Sequence, residues 1–207
     1  MGWFHTSKPL NNRAVKNLPR SVWKFGQDLR ITEVGDGLFQ LKFSIESQLN
    51  WVMKNDPWSF DNHILLLRRW EKGMTAYTVE FQYVPIWVQV WGLPFDLINE
   101  EAGMDIGESI GKVIEVNYKA IATDQARFLW IHVELPLGKP IKRGAPVLSP
   151  EGDKVWITFK YERLVGLCFN CGLIGHEVRD CPQPILSVNG TKPYGEWLWA
   201  GRDWQRN

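Results

Sequence analysis

The sequence predicts an α+β fold, in which antiparallel sheets carry helices on one face and a small cysteine- and histidine-rich segment follows them. Three observations predict it. Short apolar runs of alternating pattern are separated by glycine and proline turns, other segments repeat apolar residues at helical spacing, and all three cysteines fall within residues 168–181.

The elements can be read in order. Trp3-Phe4 suits the stub of an opening strand. Ala14, Val15, Leu18 and Val22 share one helical face over residues 11–23, with Pro19 interrupting the last turns. Residues 29–34 and 38–43 flank Gly35-Asp36-Gly37, a hairpin signal. Leu49, Val52 and Met53 mark a second helix that Pro57 ends, and residues 64–67 form a buried strand. This first half-domain, residues 1–84, therefore reads α-β-β-α-β.

A second half-domain spans residues 85–165. Ile86, Val88 and Val90 alternate with Trp87, Gln89 and Trp91, as on a strand with two unlike faces. A turn at Gly92-Leu93-Pro94 leads to a helix carrying Ile98, Ala102, Ile106 and Ile110 at intervals of four. Strands follow at about 113–118, 127–135 and 155–161. Residues 136–153, rich in Pro and Gly, show no helical pattern, and Lys139, Lys142 and Arg143 add local positive charge.

Alternation sorts these strands into two faces. One collects Val88, Val90, Leu129, Ile131, Val133, Val155, Ile157 and Phe159, which suits packing under a helix. The other collects Trp87, Gln89, Trp91, Phe128, Trp130, His132, Trp156, Thr158 and Lys160. A sheet that is aliphatic on one side and aromatic on the other resembles an RRM, whose open face stacks bases. On that resemblance Phe128 and Trp130 are candidate stacking residues, although Gln89 stands where an aromatic is expected and a second helix is missing. Such a face can equally pack against another layer of the same protein.

The cysteine segment is Cys168-Phe-Asn-Cys171-Gly-Leu-Ile-Gly-His176-Glu-Val-Arg-Asp-Cys181, spaced C-x2-C-x4-H-x4-C. Three thiolates and one imidazole form a closed tetrahedral set of the structural kind, so one Zn²⁺ is expected at Cys168, Cys171, His176 and Cys181. Gly172 and Gly175 supply the backbone angles that a tight wrap around an ion needs. Residues 166–182 then form a CCHC zinc knuckle. The segment resembles the knuckles of retroviral nucleocapsid proteins, which implies that Phe169 stacks on an unpaired base and that Arg179 contacts phosphate. The expected phosphate contacts extend to Lys160 and Arg163, and to Lys142 and Arg143. The tail, residues 183–207, holds Tyr194, Trp197, Trp199 and Trp204 without periodicity and is expected to be extended or disordered.

A larger resemblance rests on Pro57-Trp58-Ser59-Phe60-Asp61-Asn62-His63, on Ile86-Trp87-Val88-Gln89-Val90-Trp91-Gly92-Leu93-Pro94, and on Phe159-Lys160-Tyr161-Glu162-Arg163-Leu164 running into the knuckle. Residues 1–182 look like a plant family of unknown function, found in LINE-type retroelement proteins and genes derived from them. The family implies binding of single-stranded RNA or DNA.

Charge and motifs bound the function. A net charge of +1 places any electrostatic grip on local clusters rather than on the whole chain. No run of 18 apolar residues suggests a membrane partner, and intact thiols suggest the nucleus or cytoplasm. The closed ligand set leaves no position for an activated water, and no phosphate loop or nucleophile elbow appears, so no enzyme is expected. The expected partner is single-stranded RNA or DNA. The alternative is an adaptor that uses the knuckle and its aromatic surface for protein contacts or self-association.

Overall fold

The computed structural model describes residues 1–6, 22–25, 28–35, 37–117, 128–186 and 190–201. The chain divides into two compact units, Met1–Gln82 and Tyr83–Asn207. Both are antiparallel sheets with helices, as an α+β fold requires.

In the first unit the strands are β1 (Gly2–His5), β2 (Leu29–Gly35), β3 (Leu38–Phe43), β4 (Trp58–Phe60) and β5 (His63–Leu67), with helix α1 (Glu46–Lys54) between β3 and β4. The sheet order is β2-β3-β1-β5-β4. The stub at Trp3-Phe4 is thus the central strand, pairing Trp3 with Leu38 on one side and Phe4 with Leu65 on the other. The hairpin around Gly37, whose φ is +76°, sets Leu29 opposite Phe43 and Ile31 opposite Leu41. Strand β4 escapes a sequence reading because it has only three residues. It is fixed by a tight turn at Asp61 and Asn62, both at positive φ, the backbone of a two-residue hairpin. The helix expected over residues 11–23 lies outside the described residues except for Val22 and Trp23, which are helical.

Aromatic side chains fill this core. Phe4, Trp23, Leu29, Ile31, Phe39, Val52 and Leu65 form one buried cluster. The Trp23 ring meets Trp58 edge-on at 5.4 Å, and Trp58 Nε1 donates to the Val52 carbonyl at 2.8 Å. Such edge-to-face pairs contribute about 0.5–1.5 kcal/mol beyond their buried area. Of the tryptophans among the described residues, Trp23 is buried in this core and Trp58 packs against it partly buried.

Asp56 is buried at the end of α1, and its Oδ1 meets no donor among the described residues. Burial pushes its pKa from 3.8 up to about 8. The folded state therefore holds a proton that the unfolded chain has released throughout that interval. Stability is fully present below the unfolded value and falls as pH rises through the folded one, with a limiting slope of roughly 1.4 kcal/mol per pH unit. Thermal unfolding should give a lower Tm at pH 8.5 than at pH 5, and Asp56→Asn should flatten that dependence.

The second unit contains β6 (Tyr83–Trp91), α2 (Glu100–Ile110), β7 (Lys112–Asn117), β8 (Phe128–Pro136), β9 (Gly144–Leu148) and β10 (Lys154–Tyr161). Its order, β7-β8-β6-β10-β9, repeats that of the first unit strand for strand. Asn99 caps α2 by accepting from the Ala102 N–H at 2.9 Å, which leaves Ile98 outside the helix in a preceding turn. Buried Gly103 and Gly107 let the helix lie directly on Val116 and Leu129 and on Val113 and Ile131. The aliphatic face is therefore the one that packs under α2. Strand β9 lies within the Pro- and Gly-rich stretch. Pro146 is tolerated because β9 is an edge strand.

For residues 190–201 the expectation of a disordered tail is corrected; residues 187–189 and 202–207 lie outside the described residues. Residues 190–201 are ordered against the second unit, where Leu198 is 1% exposed and the Ala200 N–H donates to the Tyr161 carbonyl at 3.0 Å. Burial of Leu198 and this backbone pairing supply what the segment lacks in periodicity.

Candidate metal centre and nucleic-acid surface

The segment after β10 closes a tight loop through backbone bonds. Leu167 bridges Ile174, the Cys168 N–H donates to the Leu173 carbonyl at 2.8 Å, and the Gly172 N–H returns to the Cys168 carbonyl at 2.8 Å. Gly172 and Gly175 take φ values of +76° and +107°, which side-chain-bearing residues adopt only under strain. A 3₁₀ turn at Val178–Asp180 then delivers Cys181.

The ligand atoms of Cys168, Cys171, His176 and Cys181 all lie within 4.8 Å of one another, and Cys171 Sγ is 3.4 Å from His176 Nε2. Tetrahedral Zn bonds of about 2.0–2.3 Å imply ligand separations of roughly 3.5–3.8 Å, so the set fits a zinc ion by geometry and by chemistry. Burial pushes the Cys171 thiol up to about 11. The Asn170 amide, donating to Cys181 Sγ at 3.4 Å, pulls that thiol down to about 6. Thiols this close cannot all ionise unless a cation balances them.

Asn170 is 2% exposed and ties the metal loop to the chain beyond it. Its Nδ2 also donates to the Pro184 carbonyl at 3.0 Å, and its Oδ1 accepts from the Leu186 N–H at 2.6 Å. Partners that orient a metal ligand typically set 10–100-fold of metal affinity. Asn170→Ala should weaken zinc binding by about that factor, measurable by competition with a chromogenic chelator. The asparagine lies inside the quoted motif, so its position was visible in the sequence, but its bond to the last ligand was not.

The other expected contact residues divide between two places. Phe169 is half-buried on the knuckle. Arg179 is exposed there, with its Nε 3.1 Å from Glu177 and 3.5 Å from Asp180. Such exposed pairs are worth about 0–1 kcal/mol, so a phosphate can replace the carboxylates. Arg163 is exposed just after β10, at a φ of +52°.

Phe128, Trp130 and Lys160 lie instead on the sheet face opposite α2. Lys160 Nζ sits 4.6 Å from the centre of the Trp91 ring, a cation–π contact. Phe128 is corrected as a stacking residue. It is only 2% exposed, covered by Trp91 stacked at 4.5 Å and by the edge of Trp130 at 4.4 Å. Trp130 keeps partial exposure, but its Nε1 donates to Glu162 Oε1 at 2.8 Å. Gln89, the apparent misfit, has a structural reason. Its amide accepts from Trp91 Nε1 at 3.0 Å and donates to the same Glu162 oxygen at 2.8 Å. Beside it, Trp87 and His132 stack at 4.7 Å, and burial lowers the His132 pKa despite Glu115 and Glu134. This face is thus largely an internally bonded aromatic layer.

Comparison with known proteins agrees with the knuckle and with the first unit. Residues 136–183 match the family described as Zinc knuckle, and residues 2–76 match a Domain of unknown function (DUF4283). A zinc knuckle and a DUF4283 domain are therefore present in this chain. The knuckle match begins well before Cys168, and the structure gives a reason. The Ile141 N–H donates to the Gly172 carbonyl at 2.9 Å, so the upstream stretch packs on the metal loop. The chain is also 24% identical over 152 residues to Uncharacterized protein At4g02000 of Arabidopsis thaliana, covering 72% of this chain and 48% of that protein. It thus spans about half the length of the curated relative it matches. No solved structure matches.

Proposed function

We propose that the chain is a non-catalytic, zinc-dependent protein that binds single-stranded RNA or DNA, with one structural Zn²⁺ on the four knuckle ligands. The observation that carries this reading is the metal-fit cluster with a half-buried aromatic, Phe169, directly after its first ligand. Zinc would hold the loop in the shape that presents the ring, and unpaired bases expose the face that a ring can stack on. Phosphates would meet Arg179 and Arg163, with Lys142 and Arg143 also exposed nearby in the chain. Lys160 and Trp130 would contribute from the sheet only at its less covered positions.

The strand order of both units is compatible with an RRM-like arrangement, and the matched knuckle and domain are compatible with descent from a retroelement. Three thiol ligands favour a reducing compartment, nucleus or cytoplasm. Self-association is a second reading, supported by large exposed rings such as Trp156 at 61%.

The test is fluorescence anisotropy with a labelled strand of about 12 nucleotides, with a duplex of the same sequence as competitor and salt varied. The single strand should bind more tightly than the duplex, and log affinity should fall with log salt by roughly 0.7 per phosphate contacted. Absence of binding at low salt, together with concentration-dependent mass in light scattering, would reject this reading in favour of self-association.

A further inference from the structure

Residues 190–201 meet the knuckle at Phe169, the ring proposed above to stack on a base. The Tyr194 N–H donates to the Phe169 carbonyl at 3.3 Å, and the Tyr194 ring lies where a methyl on Gly172 would have to sit. Arg143 holds the same stretch, with its guanidinium donating to the Pro193 carbonyl at 3.1 Å and lying 5.7 Å from the Tyr194 ring centre. Buried Leu198 and the bridge between Tyr161 and Trp199 then fix the next residues. The Trp199 ring comes to rest 5.9 Å from Phe169, tilted by 51°, and stays 39% exposed.

We propose that Trp199 is a second base-stacking residue, so that consecutive bases of a single strand stack on Phe169 and on Trp199. This rests on the nucleic-acid reading above. A base sandwiched between two rings needs them parallel and roughly 7 Å apart, twice the stacking distance. Rings in mutual contact at 51° leave no such slot. They present their remaining faces side by side, which suits neighbouring bases rather than a single clamped one. The occupant is a nucleic acid because these flat apolar faces adjoin Arg143, which holds Tyr194, with Lys142 and Lys192 exposed beside Arg143 and Pro193 in sequence. The knuckle carboxylates Glu177 and Asp180 are paired with Arg179, and Glu162 accepts from Gln89 and Trp130. Ring and anchor are separate functions. Leu198 and the backbone bonds dock the segment, and the Trp199 side chain is left for a ligand.

The experiment uses the full zinc-loaded chain and a labelled single strand of about 12 nucleotides. Trp199→Leu keeps an apolar side chain against Phe169 and removes the flat ring, and Trp199→Phe restores a smaller one. Bound zinc is measured for each variant. The leucine variant should retain its zinc and bind roughly five- to 150-fold more weakly, whereas the phenylalanine variant should recover most of the affinity. Unchanged affinity for Trp199→Leu, when Phe169→Ala is weakened, overturns the proposal while leaving the knuckle reading intact. Tighter binding by Trp199→Leu overturns it too, and shows the tail to be a cover over Phe169. No binding by the unmodified chain removes both.

Discussion

Cys171→Ser is expected to abolish stoichiometric zinc binding and to unfold the knuckle, while the sheets of both units remain folded. Structural zinc contributes about 10–16 kcal/mol apparent in isolated fingers near neutral pH. The loop holding Cys168, Cys171, His176 and Cys181 has little core of its own, and its main apolar anchors are Leu167 and Ile174. Removing one of four ligands therefore leaves a site several orders of magnitude weaker. Native mass spectrometry of the purified chain should show one zinc per chain for the unmodified protein and none for the variant. Far-ultraviolet circular dichroism should change little, because the strands of β1 to β10 do not depend on the metal. The tail should respond with the knuckle, since Tyr194 and Trp199 rest on it.

Phe169→Ala is expected to raise the Kd for a single strand roughly five- to 150-fold, the loss of one base stack. Bound zinc should stay at its unmodified level, because the ring is not a ligand. The salt dependence of binding should also stay the same, since stacking releases no counterions. Arg179→Ala should behave in the opposite way, with a shallower salt slope and a smaller loss in low salt. A Phe169 variant that loses zinc would instead make the ring a packing residue of the knuckle.

The metal ligands were the most legible part of the chain, because their spacing alone selects a donor set and a coordination geometry. The β2–β3 hairpin and the aliphatic face under α2 were legible for a related reason: alternation and glycine turns are local signals. Two features were hidden because their causes are not local. Strand β9 exists by pairing with β10, which a Pro-containing segment does not advertise. Residues 190–201 are held by Tyr161, Phe169 and Leu198, all of which act through tertiary contact. The aromatic face was read correctly as a face, but alternation cannot say what covers it. Phe128 proved to be covered by its own neighbours, and Gln89 proved to be the amide that joins Trp91 to Glu162.

The affinity of one protein preparation for a labelled single strand, measured zinc-loaded, after chelation and after zinc is returned, tests the central claim most directly. Binding should be strong and salt-sensitive with zinc, should weaken at least tenfold on chelation, and should recover when the metal is restored. Equal affinity in all three states would contradict a zinc-organised grip and would place any binding elsewhere on the chain.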